Sequence, residues 1–174
     1  MRMPESLGNP VQLLAYVDAI HAGNMKTRRS HSGILIYMNH APIIWYSKRQ
    51  NTVEASSFGS EYIALRICTE MVEALRYKLR CFGVPIEGAC DVMCDNRSVV
   101  TNSSVPISVL NKRHNAICYH RVREAQPMGV IRVGWIEGKD NVADLFTKKT
   151  LSNESKRKFI QCIIDDIATP LPRT

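Results

Sequence analysis

Four carboxylates in this chain sit where their type and spacing call for chemistry: Asp18, Glu61, Asp95 and Asp144. Asp18 directly follows the apolar run LLAYV, and Asp95 directly follows DVMC. Ligands of open α/β sheets bind at the carboxyl ends of strands, so two acids there on neighbouring strands would make one focused negative site. Glu61 lies three residues after Phe58 and four before Leu65, which puts it on the apolar face of its helix. A carboxylate turned toward a sheet needs a partner or a metal. Asp144 stands three residues after Asn141, at the third position of a short helix. Each acid also has a plainer reading. Asp18 and Asp95 suit strand ends or caps, Glu61 suits a tilted helix that frees it to solvent, and Asp144 suits the helix dipole. Together they resemble the oxygen ligand set that hard cations such as Mg2+ prefer, and no His/Cys cluster competes.

The elements that must hold these acids follow from the apolar pattern. Residues 11–18, 33–38 and 42–47 read as three strands in meander order, the last two joined around Asn39-His40-Ala41. A helix capped by Ser56 or Ser57 is expected to run to Phe82, with a break near Thr69 and a stop at Gly83. Residues 89–94 and 131–136 read as two further strands. Helices are expected over 96–102, 112–126, 141–148 and 156–167, with Ile117 among the apolar positions of the second. Trp45, Tyr46, Phe58 and Trp135 read as core or near-core aromatics. Hairpin strands followed by alternating helices and strands predict an α/β fold, a mixed sheet flanked by helices.

At 174 residues with 45% hydrophobic and 22% charged, the chain has room for one domain and is too apolar for a disordered one. The expected division is an extension over 1–10, a domain over 11–150, and an amphipathic helix with an exposed tail over 151–174. No apolar run is long enough to span a membrane, and MRMPESLGNP lacks a signal core. The net charge of +7 favours a nucleic-acid partner. The six cysteines include no CxxC pair and read as free buried thiols in a reducing compartment.

YVDAIHAGNMKTRRSHSGILIY, PIIWYSKRQNTVEASSFGSEYIAL, VMCDNRSVV, NKRHNAICYHRVRE and NVADLFTK occur in this order. They resemble the ribonuclease H domain of copia-type retrotransposon polyproteins, over about residues 14–150. The resemblance implies an RNase H-like fold, a five-stranded mixed sheet with its first three strands antiparallel. It implies hydrolysis of the RNA strand of RNA–DNA hybrids with two Mg2+ ions, for which Mn2+ can substitute. Asp18, Glu61, Asp95 and Asp144 are the catalytic and metal-binding acids it assigns. Products would carry 5′-phosphate and 3′-hydroxyl ends.

Substrate contacts are expected from Lys26, Arg28, Arg29, Asn96, Lys112, Arg113, His114 and Lys148. Such contacts to the backbone are salt-sensitive and largely sequence-independent. A reverse transcriptase domain of the same polyprotein is the implied protein partner. An intracellular setting follows: the cytoplasm, virus-like particles or the nucleus. Three positions depart from the family: Ile20 replaces a common second acid, Pro127 replaces a small helix-compatible residue, and residues 137–140 lack the loop His of cellular members. The alternative function is a catalytically decayed module that binds nucleic acid or supports a reverse transcriptase. An integrase core and a plain basic DNA-binding protein fit less well, because neither accounts for Glu61 on the first long helix together with the ADLFTK ending.

Overall fold

A computed structural model describes residues 8–105, 115–148 and 150–168. Five strands form one sheet: β1 (Leu13–Ile20), β2 (His31–Met38), β3 (Ala41–Arg49), β4 (Cys90–Cys94) and β5 (Ile131–Trp135). Their order is β3-β2-β1-β4-β5, with β1, β2 and β3 antiparallel and β4 and β5 parallel to β1. The helices are α1 (Ser57–Cys81), α2 (Arg97–Ser104), α3 (Ala116–Ala125) and α4 (Asn153–Ala168). Two 3-10 turns, Gly138–Asp140 and Val142–Phe146, separate β5 from α4.

Period-two alternation assigns the sheet its faces. Val17, Ala19, Ile34, Ile36, Cys90, Val92 and Cys94 join Tyr62, Leu65 and Val72 of α1 and Val122 of α3 in the main core. Leu35 and Tyr37 point the other way and bury Val142 and Phe159, with Leu14 and Tyr16 packed beside them. The two layers therefore flank β1, the strand that carries Asp18.

Several boundaries differ from the sequence reading. β1 runs from Leu13 to Ile20, so Asp18 lies two residues inside the strand rather than at its last position. Helix α1 passes Thr69 unbroken, because the Thr69 hydroxyl donates 2.8 Å to the Leu65 carbonyl and rides on the helix. The expected helix over 141–148 is a 3-10 turn of five residues. Trp45 and Trp135 are exposed, not core. Trp45 sits on edge strand β3, and Trp135 ends edge strand β5 beneath the Arg97 guanidinium, 4.1 Å from its ring centroid. Ile117 is also exposed. Cys81 is exposed, while Cys68, Cys90 and Cys94 are buried; all described cysteines are free thiols. No helix among the described residues is long and apolar enough to cross a membrane.

Candidate metal centre

Parallel pairing places Val17 opposite Cys94. The next residues, Asp18 and Asp95, consequently end up side by side at the carboxyl end of β1 and β4. Glu61 arrives from the first turns of α1. Ser56 caps that helix by accepting from the Gly59 N–H, and Gln50 donates 2.8 Å bonds to the Ser60 carbonyl and the Ser32 hydroxyl. Those two bonds pin the start of α1 to β2. Glu61 then meets the backbone N–H of Ala19 at the strand end.

Asp144 comes from the opposite layer. Asn141, fully buried, accepts from the Ala143 N–H at 3.2 Å and donates to the Val17 carbonyl at 3.0 Å. The same side chain bonds Asp95, so one amide ties the 3-10 turn to both strands. Thr147 donates its hydroxyl to Asp18, and Lys148 holds Asp144 at 2.5 Å.

One carboxylate oxygen each from Asp18, Asp95 and Asp144 lie within 4.8 Å of one another. Asp18, Glu61 and Asp144 are buried, and Asp95 is half-buried. For Glu61, Asp95 and Asp144, crowding and burial act on the same side of the protonation equilibrium. Burial, then the charges of Asp18 and Asp95, push the Glu61 carboxyl well above its usual range. Burial and Asp18 raise Asp95. Burial raises Asp144 to about 6 although Lys148 opposes it. Two buried carboxylate oxygens, Glu61 Oε2 and Asp144 Oδ1, have no hydrogen-bond donor. Orphaned carboxylate oxygens in an all-oxygen cluster fit a hard divalent cation.

No family model matches the chain. Over 141 residues, 81% of its length, it is 31% identical to the retrovirus-related Pol polyprotein from transposon RE1 of Arabidopsis thaliana. Over 147 residues it is 29% identical to the corresponding polyprotein from transposon TNT 1-94 of Nicotiana tabacum, covering 84% of this chain. Its fold matches LC11-RNase H1, solved in complex with an RNA/DNA hybrid, at a TM-score of 0.62 with 15% identity, covering 80% of this chain and 96% of that one. The chain has the RNase H fold and is similar to a segment of retrotransposon Pol polyproteins. It spans about a tenth of the length of those polyproteins.

Around the acids of this RNase H domain, the expected basic residues take separate places. Lys26 and Arg28 are exposed and Arg29 half-buried on the turn after β1, where Asn24 accepts from the Lys26 and Thr27 N–H groups. Arg29 lines a cleft of about 460 Å³ with His31, Arg49, Thr147 and Lys148, which borders the acid cluster. Asn96 caps α2 by accepting from the Val99 N–H, so its oxygen is already used. Lys148, expected to face substrate, is the counter-ion of Asp144. Lys112, Arg113 and His114 lie outside the described residues. Sequence reasoning did not single out Gln50, Thr147 or Arg49.

Gly33 explains how Asp144 and Thr147 come so near. It pairs with Asp18 across the ladder, and a Cβ there would lie 2.6 Å from Thr147 Cγ2 and 2.8 Å from the Ala143 carbonyl. Gly33→Ala is expected to push the 3-10 turn off the sheet and to cost about 1–3 kcal/mol. A thermal melt should fall by several degrees; an unchanged melt would show that the turn can retreat freely.

Proposed function

We propose that this RNase H domain hydrolyses the RNA strand of RNA–DNA hybrids during retrotransposon reverse transcription. Asp18, Glu61, Asp95 and Asp144 are its catalytic acids and hold two Mg2+ ions, with Mn2+ as a substitute. The observation that carries the reading is the convergence of three carboxylates within 4.8 Å beside the orphaned oxygen of a fourth. Bound there, the ions would activate the attacking water and stabilise the leaving 3′ oxygen. Asp18 is held by the Thr147 hydroxyl, and Asp95 by the Asn141 amide, so both carboxylates are oriented before substrate arrives. The Arg29 and Arg49 side of the cleft supplies positive charge for the hybrid backbone. Lys26, Arg28 and Asn96 extend that contact, as do Lys112, Arg113 and His114. Strand choice would come from 2′-hydroxyl contacts and hybrid shape.

The RNA/DNA hybrid bound by LC11-RNase H1 and the Pol polyproteins among the relatives support the same partners: a hybrid substrate and a reverse transcriptase segment of the same polyprotein. Reverse transcription would place the domain inside the cell, in the cytoplasm, virus-like particles or the nucleus.

A second reading, a decayed module that binds hybrid without cutting it, is favoured by one observation. Lys148 already sets a cation on Asp144. Cleavage of an end-labelled hybrid separates the two readings. The proposal expects Mg2+- or Mn2+-dependent products that stop with excess EDTA and resume when Mg2+ is restored. Cleavage that survives EDTA removes the metal role, and hybrid binding without cleavage leaves the decayed module.

A further inference from the structure

Alternation along β4 turns Cys90, Val92 and Cys94 toward α1. Cys94, at the last position, is fully buried and reaches the place where Glu61 descends from α1. One oxygen of Glu61, one of Asp95 and the Cys94 Sγ lie within 4.8 Å of one another. Glu61 is only 6% exposed, and its Oε2 has no hydrogen-bond donor. Cys94 is the only described cysteine that enters such a group. Asp95 belongs both to this group and to the all-oxygen trio with Asp18 and Asp144.

We propose that Glu61, Cys94 and Asp95 form a mixed oxygen–thiolate site for a borderline-soft divalent cation such as Zn2+ or Cd2+, resting on the metal-binding role proposed above for Glu61 and Asp95. Thiolate selects Zn2+ and softer ions, whereas Mg2+ gains little from sulfur. Zinc bonds of about 2.0–2.3 Å to oxygen and sulfur require the three atoms to close in slightly, which small rotations of Glu61 and Asp95 supply. Binding forms an S–metal bond and releases the thiol proton to buffer. Because Asp95 is shared, a soft ion here draws that carboxylate from the all-oxygen trio, and Zn2+ or Cd2+ becomes a competitor of Mg2+ at the same centre.

Cadmium titration of the full chain, followed by the ultraviolet thiolate-to-cadmium charge-transfer band, tests this without any substrate. The wild type should develop the band with one equivalent of Cd2+, and Zn2+ should suppress it. Cys94→Ser should lose it, Cys81→Ser should keep it, and Glu61→Gln should need about tenfold more Cd2+ to reach it. No saturable band in folded wild type overturns the site, as does a band retained in Cys94→Ser. If Cys94→Ser is unfolded by circular dichroism, Glu61→Gln decides, since it keeps the thiol: an unchanged titration there also overturns the site. The hydrolytic reading fails separately. A chain that shows the band and never cleaves keeps this site, and one that cleaves with Mg2+ and shows no band keeps only the nuclease.

Discussion

Asp95→Asn should cut hybrid cleavage by several orders of magnitude while leaving the metal-free protein at least as stable as wild type. The substitution keeps the shape of the side chain and its hydrogen-bonding capacity, but removes one ligand charge. Water activation and leaving-group stabilisation both depend on metal position, so loss of a central ligand is costly to the rate. In the metal-free protein the sign reverses. Burial and the neighbouring Asp18 raise the Asp95 carboxyl, which means the folded state disfavours its charge. An amide relieves that repulsion. Metal-free hybrid binding should be kept or slightly improved, since the phosphates meet less negative charge. Asp18→Asn should behave similarly and Asp144→Asn more weakly. A cleavage time course, a filter-binding curve and a thermal melt on one purified pair measure all three. A destabilised Asp95→Asn that cleaves at near the wild-type rate would mean that Asp95 is structural and not a metal ligand.

Much of this centre is legible along the chain because its acids sit at points that local pattern defines. Asp18 and Asp95 adjoin apolar runs, and the parallel pairing of Val17 with Cys94 makes them neighbours. Glu61 is visible from helical periodicity, and burial on α1 agrees with the face it was assigned. What supports the acids is less legible. Thr147 reaches Asp18 across 129 residues, and Asn141 reaches Val17 across 124, distances at which no period carries information. Gln50 looks like an ordinary polar residue after a strand, yet it is buried and fastens Ser60 beside Glu61. A buried Gln with two polar partners shows itself only once the sheet and α1 are in contact. The aromatic expectation held for Tyr46 and Phe58, which pack against the core, and failed for the two tryptophans for a related reason. Apolar type alone placed Trp45 and Trp135 in the core, but both fall on edge strands, where one side lacks a neighbour.

The metal-free domain should lose stability as pH rises, and Mg2+ should reverse that slope. Asp144 has an ordinary value of 3.8 and is raised by burial to about 6 in the folded chain. Glu61 is raised well above 4.5, first by burial and then by Asp18 and Asp95. A carboxyl raised on folding binds more protons in the native state than in the unfolded one, so unfolding free energy falls with pH across that window. The stabilising contribution is complete below about pH 4 and is lost as pH passes about 6 for Asp144, with the Glu61 part lost over the same direction of change. For Asp144 the loss is on the order of 2–3 kcal/mol, which corresponds to a fall of about 5–10 °C in the melting temperature for a chain of this size. Mg2+ binds the charged carboxylates, so its stabilisation should be weak at the acid end and largest near neutral pH. Melting curves in EDTA and in Mg2+ between about pH 4 and pH 8 should therefore diverge as pH rises. Glu61→Gln removes one of the three raised carboxyls and should flatten the EDTA curve, an effect that a role in folding alone would not produce. Parallel curves in EDTA and Mg2+ across the whole range would mean that these four acids, however close they lie, do not share a cation.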